Sequence, residues 1–334
     1  TIAFFDATSK ERSSFEHYFT GSKFKLLIFD KPIHEVPVYE YKEAEIVSVF
    51  TPSHLDSSII LHLPKLKYIA ARSTGIDNID VKACKKQGVA IGNVPGYGQT
   101  TVAEYAILLM LMLARKIPAM QEAIKLGHIP YKKLTGFTLH GKTLGVVGTG
   151  KIGMSVVAVA KAMGMHVVAH DPYPNNDLAK QFSFSYVPIH ELFRGSDIIT
   201  LLTPLTPQTK HIINEKTLNL MPDHALIVNT ARGELIDTIA LIRALQSKKI
   251  AGAALDVIEG ERTLDVDIES ELFLGNSKVA YEIAEVDILS KMTNVILSPH
   301  NAFNSNEALQ FIRKTTALNI QAFLKGELIN NIKL

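Results

Sequence analysis

The sequence has little of several features that mark particular classes of protein. Cys84 is the single cysteine among 334 residues, which excludes an internal disulfide and a cysteine-cluster metal site. The formal net charge is only +2, from 35 basic and 33 acidic residues, so there is no charged footprint for nucleic acid or an anionic membrane. The longest apolar run, 105–114, is about half of the ~20 residues that a membrane-spanning helix needs. No secretory signal is visible, and together these absences predict a cytoplasmic protein with no nucleic-acid or membrane partner.

Short apolar runs rich in β-branched residues recur along the chain and predict two series of strands. The first series comprises 2–5, 24–29, 46–50, 66–71 and 89–94, and the second comprises 143–147, 166–170, 197–202, 225–229, 252–257 and 295–298. Most of these runs are apolar on both faces, and the spacers between them are long enough for crossover helices. The pattern predicts an α/β protein with two doubly wound parallel sheets, each in its own domain.

The segment between the two series, 100–115, is apolar almost all the way round, which suits a helix at a domain or subunit interface. A segment with apolar residues at helical spacing, 309–323, follows the last strand, and this helix can pack on the first domain and complete it. We therefore expect one domain of residues 1–98 plus 300–334 and another of residues 99–299. The acidic stretch 263–290 interrupts the regular alternation, and we interpret it as a surface excursion.

A glycine-rich turn follows the first strand of the second series. Gly148, Gly150 and Gly153 stand between that strand and an amphipathic helical pattern, an arrangement that lets helix N–H groups approach a pyrophosphate. The next strand ends at Asp171, and 171 minus 153 gives 18 residues, close to the ~20 expected for a carboxylate that binds the adenosine ribose. Because Asp171 would repel a 2′-phosphate and no basic residue follows before Lys180, we expect NAD rather than NADP.

Three later strand candidates end in side chains suited to reducing a 2-oxo acid. Arg232 can anchor the substrate carboxylate, because its planar guanidinium matches that group and stays charged. His300 can donate the proton that the developing alkoxide needs. A neighbouring carboxylate would favour the protonated imidazole and orient its ring, and Glu261 is the candidate. The histidines and carboxylates lack a metal-ligand spacing such as His-Glu-x-x-His, so no metal is predicted.

These motifs, with Ser-Thr-Gly-Ile-Asp-Asn-Ile-Asp at 73–80 and Asn-Val-Pro-Gly-Tyr at 93–97, resemble the D-specific 2-hydroxyacid dehydrogenases over nearly the whole chain. Within that family the resemblance is greatest to the D-lactate dehydrogenases. It implies a flavodoxin-like substrate domain and a Rossmann NAD-binding domain with a cleft between them, assembled as a homodimer or a dimer of dimers. It also implies that pyruvate is reduced to D-lactate, with a 2-oxo or 2-hydroxy acid as the small-molecule partner.

The resemblance also implies roles for individual residues. It implies that His300 is the proton donor and that Glu261 is its carboxylate partner. It also implies that Arg232 binds the substrate and that the backbone N–H groups of Thr74 and Gly75 hold the substrate carboxylate. Tyr97 and Phe303 would wall in a small side chain. The aromatic residue that relatives place near the substrate in the first domain corresponds either to Phe50, the nearest aromatic before Pro52, or to Leu55. The implied cofactor contacts, besides the three glycines and Asp171, are Lys151, Ile152, Thr203, Pro204, Thr209, Thr230, Ala231 and Asp256.

Three alternatives to a D-lactate dehydrogenase stay open on the sequence. A broader D-2-hydroxyacid or hydroxypyruvate reductase would use the same residues. A phosphoglycerate dehydrogenase would need further cations beside the substrate, where only Arg72 is available. An NADH-sensing, corepressor-like binding protein would bind the dinucleotide without turnover.

Overall fold

The computed structural model describes residues 1–127, 129–260 and 277–333, with side chains described from residue 281 onward in the last range. The chain divides into two compact units, which we call unit 1 (Thr1–Tyr97 with Asn304–Leu334) and unit 2 (Gly98–Phe303). The second crossing between the units follows Phe303 and not residue 299, so His300 and Phe303 both belong to unit 2.

Unit 1 is built on a five-stranded parallel sheet with the strand order β2-β1-β3-β4-β5. The strands are β1 (Ile2–Phe4), β2 (Leu26–Ile28), β3 (Ile46–Val49), β4 (Tyr68–Ala71) and β5 (Ala90–Gly92). Strands β1, β3 and β4 are buried along their whole length, as strands covered by helices on both faces must be. This order is the flavodoxin-like one, and it confirms the fold class predicted for this part of the chain.

Helices cover both faces of the unit 1 sheet. They are α1 (Ser9–Tyr18), α2 (Val38–Tyr41), α3 (Ser57–Leu61), α4 (Val81–Gln87) and α13 (Asn306–Leu324). Helix α13 reaches unit 1 from the far end of the chain, and its Ala317 and Ile320 pack in one cluster with Phe4 and Phe15. The lone cysteine, Cys84 on α4, is fully buried, and burial raises the pKa of its thiol to about 11.

Unit 2 contains a seven-stranded parallel sheet with the order β12-β11-β10-β9-β6-β7-β8. The strands are β6 (Thr143–Val147), β7 (His166–His170), β8 (Ser185–Tyr186), β9 (Ile198–Leu201), β10 (Leu226–Asn229), β11 (Gly252–Leu255) and β12 (Val295–Leu297). The order reverses between β6 and β9, which is the switch point of a Rossmann sheet. The Rossmann prediction is confirmed, although β8 was missed because two residues form no recognisable apolar run.

The helices of unit 2 are α5 (Gln99–Ala114), α6 (Ile117–Lys125), α7 (Lys151–Ala162), α8 (Asn176–Phe182), α9 (Ile189–Gly195), α10 (Glu215–Leu220), α11 (Thr238–Gln246) and α12 (Ser277–Ser290). The surface excursion predicted for 263–290 is wrong for its second half, because helix α12 buries Leu289 completely in the core of unit 2. The acidic side chains of this stretch obscured its apolar positions, and residues 261–276 lie outside the described residues. No helix in the described ranges is long and apolar enough to cross a membrane.

Candidate active site

The candidate residues of unit 2 all follow strands at the same edge of its sheet. The glycine turn follows β6, Asp171 follows β7, and Thr203 and Pro204 follow β9. Arg232, Asp256 and His300 follow the three adjacent strands β10, β11 and β12. Because the strands are parallel, their carboxyl ends share one edge, where ligands bind in open α/β sheets.

The glycine turn leaves room for a phosphate group next to the start of α7. Gly148 has a φ of +98°, a left-handed conformation that favours glycine, and a Cβ at Gly153 would lie 2.1 Å from the carbonyl oxygen of Gly148. Gly150 differs, because a Cβ there would meet no atom within 4 Å. Gly150 is the N-cap of α7, and no side chain caps that helix. Its first N–H groups, beginning at the exposed Lys151 and half-buried Ile152, therefore face open space suited to a pyrophosphate.

Asp171 is fixed to the glycine turn by hydrogen bonds. Its Oδ2 accepts the backbone N–H of Thr149 at 2.7 Å and the hydroxyl of Thr149 at 3.0 Å, while its Oδ1 accepts the N–H of Tyr173 at 2.9 Å. The Thr149 hydroxyl also lies 2.8 Å from the hydroxyl of Tyr186 on β8. The carboxylate is half-buried, and these contacts place it beside the glycine turn.

Two further loops complete this part of the edge. Thr209 closes the loop after β9, because its hydroxyl donates to the carbonyl of Pro204 at 2.7 Å and accepts the N–H of Thr206 at 2.8 Å. Thr230 is buried, and its Oγ1 has no hydrogen-bond partner among the described residues. A buried hydroxyl without a partner is unfavourable and suits a group that bonds a ligand. The open glycine turn and this hydroxyl together fit a dinucleotide.

The loop after β10 presents Arg232. The side chain of Asn229 braces this loop, since its Oδ1 accepts the N–H of Ala231 at 3.0 Å and its Nδ2 donates to the carbonyl of Arg232 at 2.8 Å. The guanidinium of Arg232 donates to the carbonyl of Ala231 at 2.7 Å. Arg232 is half-buried, and these bonds anchor its backbone carbonyl and its guanidinium.

The loop that carries His300 is organised around Asp256, which is 1% exposed. The backbone carbonyl of Asp256 accepts the N–H of His300 at 2.7 Å. Its carboxylate accepts the hydroxyl of Ser298 at 2.5 Å and the N–H groups of Asn301 at 2.8 Å and Ala302 at 2.9 Å. His300 itself has a φ of +48°, which is uncommon outside glycine and costs about 1–2 kcal/mol. The Asp256 bonds hold this strained backbone in place.

Phe303 lies against His300, with ring centroids 6.1 Å apart and an interplanar angle of 75°. Glu261, the predicted carboxylate partner of His300, lies outside the described residues. The residue two places before it is anchored, because Glu259 Oε1 lies 2.9 Å from Nε2 of His211. Among the described residues, no group of three His, Cys, Asp or Glu side chains could hold a metal ion.

The predicted residues of unit 1 lie at the carboxyl ends of β4 and β5. Thr74 and Gly75 follow β4, and the half-buried Tyr97 follows β5 after the turn at Gly96, whose φ is +88°. The side chains of the β4 loop are occupied: Ser73 Oγ donates to the carbonyl of Gly75 at 2.6 Å, and Thr74 Oγ1 donates to that of Val94 at 2.8 Å. The backbone N–H groups of Thr74 and Gly75 donate to no group within the described part of the chain.

Sequence reasoning missed two residues that shape these loops. Ser298 supports the His300 loop through its bond to Asp256, and Asn93 donates from its side chain to the carbonyl of Thr74 at 2.7 Å. Ser298 stands two residues before His300 and Asn93 begins the motif at 93–97, but neither has a side chain that chemistry alone would select. Polar residues at the carboxyl ends of buried strands are the signal that could have found them.

Comparison with known proteins supports the same family. The family model described as the NAD binding domain of D-isomer specific 2-hydroxyacid dehydrogenases matches residues 107–302. A 2-hydroxyacid dehydrogenase homolog from Haemophilus influenzae is 35% identical over 338 aligned residues, which cover 100% of this chain and 99% of that protein. The D-lactate dehydrogenase of Escherichia coli is 36% identical over 313 residues, covering 92% of each chain.

The solved structures lead to the same group. The crystal structure of D-lactate dehydrogenase from Aquifex aeolicus, complexed with NAD and lactic acid, matches with a TM-score of 0.89 and 33% identity. The match covers 98% of this chain and 96% of that chain. Unit 2 therefore contains the NAD-binding domain that its glycine turn predicted, and the chain belongs to the D-isomer specific 2-hydroxyacid dehydrogenase family, a family of oxidoreductases.

Proposed function

We propose that the protein reduces a small 2-oxo acid, with pyruvate preferred, to the D-2-hydroxy acid. The observation that carries this proposal is the loop after β12, in which Asp256 holds His300 in a left-handed conformation next to the strands that precede Arg232 and Asp256. A histidine fixed in this way on one sheet edge with an arginine provides a proton donor and a carboxylate anchor.

Each residue has a defined task in this proposal. Arg232 binds the carboxylate and carbonyl oxygen of the substrate, and the N–H groups of Thr74 and Gly75 bind the carboxylate. His300 delivers a proton to the carbonyl oxygen as it becomes a hydroxyl, and Glu261 orients the imidazole. When bound, NADH supplies the hydride for the carbonyl carbon. The residues that would hold it are those of the glycine turn with Lys151 and Ile152, Asp171, the loop from Thr203 to Thr209, and Thr230 with Ala231.

The residues around the loop after β4, which carries Thr74 and Gly75, favour a small substrate without a phosphate. Leu55 is fully buried in the core of unit 1, whereas Phe50 is half-buried at the carboxyl end of β3. We assign Phe50, with Tyr97 and Phe303, to the wall around the substrate side chain. Arg72 is 0% exposed, and its guanidinium donates to the carbonyls of Phe5 and Asp6. It is therefore committed to the core, which argues against a phosphorylated substrate.

The test is the initial rate of NADH oxidation with pyruvate, glyoxylate, hydroxypyruvate, phenylpyruvate and phosphohydroxypyruvate, with the chirality of each product determined. We expect the highest kcat/KM with pyruvate and a D product. Replacing His300 by Ala should lower kcat by roughly 10²- to 10⁴-fold, as removal of a general acid does. A preference for phosphohydroxypyruvate would identify a phosphoglycerate dehydrogenase, and NADH binding without any turnover would identify a sensor.

We further infer a homodimer that uses helix α5. This helix is apolar on nearly every face, and Leu108 and Leu111 stay 46% and 36% exposed in the single chain. Exposed leucines on a long buried helix are typical of a subunit interface. Light scattering on the purified protein should give twice the mass of the chain, and Leu108→Glu should yield monomers. A monomeric wild-type protein at micromolar concentration would contradict this inference.

A further inference from the structure

Three asparagines of unit 1 connect the Thr74 loop to the last helix and to the segment after it. Asn93 Nδ2 donates to the carbonyl of Thr74 at 2.7 Å, and the carbonyl of Asn93 accepts Nδ2 of Asn319 on α13 at 2.8 Å. Asn319 Oδ1 in turn accepts Nδ2 of Asn330 at 2.9 Å. The backbone N–H of Asn93 also donates to the carbonyl of Asn330 at 3.0 Å, so Asn93, Asn319 and Asn330 form a closed ring of hydrogen bonds.

Residues 93 and 94 control two successive peptide groups of the loop. The carbonyl of Ser73 accepts the N–H of Val94 at 3.0 Å, and the carbonyl of Thr74 accepts the Asn93 side chain. A trans peptide is planar, with its C=O and N–H pointing in opposite directions. A bond to the Ser73 carbonyl therefore fixes where the N–H of Thr74 points, and a bond to the Thr74 carbonyl does the same for Gly75. Neither of these two N–H groups has an acceptor in the described ranges.

Burial makes the arrangement specific. Asn319 is 1% exposed and Asn93 is 9% exposed, so an amide there that turned away would lose its bonds without gaining water. The segment after α13 is also held to the edge strand, since Gly92 pairs with Asn331 and the N–H of Ile332 donates to the carbonyl of Ile91 at 2.8 Å. Asn330 adopts a φ of +51° at the point where this segment meets Asn319. The position of Asn93 thus depends on residues more than 200 places away in the chain.

We propose that Asn93 is a positioning residue for substrate binding, which aims the N–H of Gly75 at the substrate carboxylate, and that Asn319 and Asn330 act through it. The proposal rests on the proposed function of the Thr74 and Gly75 N–H groups. It assigns to α13 and the segment after it a part in substrate affinity that their distance in sequence from Thr74 and Gly75 does not suggest.

The central test is Asn93→Asp, which keeps the shape of the side chain and replaces the donor to Thr74 by a second acceptor. The KM for pyruvate should rise about 10- to 100-fold, the effect of losing a hydrogen bond to a charged group. The dissociation constant for NADH, which unit 2 binds, should stay unchanged. The matched control is Asn294→Asp, which removes an amide bond to the carbonyl of Ala251 at the other end of the unit 2 strands. A KM in Asn93→Asp no higher than in Asn294→Asp would overturn the proposal.

A second variant, at an exposed position, tests the proposal even if Asn93→Asp does not fold. Asn330 is exposed, and Asn330→Gly keeps its left-handed backbone while deleting the amide that bonds Asn319. Its KM for pyruvate should rise about threefold, in line with one neutral hydrogen bond. Because Asn330 acts through Asn93, the double variant should have the KM of Asn93→Asp alone. Multiplying effects would mean that the two residues act independently and that the connection through Asn319 is wrong.

Failure of the proposed function has a different signature. A wild-type protein that reduces none of the 2-oxo acids would reject that function, whatever the variants do. The amide proton resonances of Thr74 and Gly75 still test the connection in that case, since they report peptide orientation without turnover. Asn330→Gly must shift the Gly75 resonance and Asn294→Asp must leave it in place, and the reverse result would refute the role of Asn93.

Discussion

Asp256 and Ala302 are joined across the ends of two neighbouring strands, with Asp256 Oδ2 accepting the N–H of Ala302 at 2.9 Å. The backbone carbonyl of Asp256 accepts the N–H of His300 in the same loop. One residue at the end of β11 therefore determines the conformation of the loop that follows β12. The family resemblance implies that Asp256 contacts the cofactor, and its observed contacts add the positioning of His300.

Replacing Asp256 by Asn tests this positioning. In the carboxylate, Oδ2 accepts the N–H of Ala302, and Oδ1 accepts the hydroxyl of Ser298 and the N–H of Asn301. The amide of Asn keeps only one of these two acceptors and presents an NH₂ donor in place of the other. We expect kcat with pyruvate to fall about tenfold or more and the free energy of unfolding to fall by about 1–3 kcal/mol. Asp80→Asn is the control, because Asn also caps a helix well and Asp80 caps α4 through the N–H of Ala83. Unchanged kcat in Asp256→Asn would remove Asp256 from the positioning of His300.

Replacing Arg232 by Lys separates charge from geometry. The guanidinium donates to the carbonyl of Ala231, and a lysine ammonium cannot reproduce the planar fork that would hold a substrate carboxylate. The KM for pyruvate should rise about 10- to 100-fold while the affinity for NADH is kept. Arg243→Lys, on the exposed side of α11, is the matched control. Normal pyruvate kinetics in Arg232→Lys would contradict the substrate-binding role.

The fold was largely predictable because its strands are short and apolar on both faces. Buried runs such as 46–49 and 198–201 cannot be mistaken for amphipathic helices, and each stands between segments long enough to cross over. The two-residue strand Ser185–Tyr186 carries no such pattern and was missed. In helix α12, acidic residues share the surface with the buried Leu289, so composition suggested a surface excursion where tertiary packing makes a helix.

The candidate site was predictable where side-chain chemistry is distinctive. Arg232, His300 and Asp171 have side chains whose chemistry suits a substrate or cofactor, and their positions after parallel strands predicted that they share one edge of the sheet. The supporting contacts were not predictable, because they join backbone groups to ordinary polar residues such as Ser298 and Asn93. Those bonds depend on strand order and on the return of α13 to unit 1, which no local pattern encodes.

The glycine turn permits a contrast between two substitutions three residues apart. A Cβ at Gly150 meets no atom, so Gly150→Ala should leave the free energy of unfolding within about 0.5 kcal/mol. The methyl group occupies the space offered to a pyrophosphate, so the dissociation constant for NADH should rise about tenfold or more. Gly153→Ala should instead lower the free energy of unfolding by about 1–3 kcal/mol, because its Cβ meets the carbonyl of Gly148. Calorimetric titration with NADH and chemical denaturation distinguish the two effects, and equal NADH binding by wild type and Gly150→Ala would place the pyrophosphate elsewhere.

Removing the carboxylate of Asp171 should change coenzyme selectivity. Asp171→Ala loses the charge that disfavours a 2′-phosphate and the bonds that fix Thr149 in the turn. The dissociation constant for NADH should rise about 10- to 100-fold, and the preference for NADH over NADPH should narrow. Asp177→Ala, on the exposed first turn of α8, removes a nearby charge and serves as control. An unaltered ratio of the two affinities in Asp171→Ala would mean that another group reads the ribose.

Asp197, at the amino end of β9, should make stability depend on pH. Burial raises the pKa of this carboxyl group, but the N–H of Thr143, the ammonium of Lys142 and the ring of His224 outweigh it, so the pKa is lowered from its ordinary value of 3.8. A carboxylate with a lowered pKa in the folded state stabilises the fold above its unfolded pKa, and this contribution is lost as the pH falls through the folded pKa. Asp197→Asn should therefore lower the free energy of unfolding by about 1 kcal/mol at pH 7, and its difference from wild type should shrink below about pH 4. Urea denaturation from pH 7 to pH 3 measures this, with Asp30→Asn as an exposed control. A difference that stays constant over that range would mean that the Asp197 charge does not contribute.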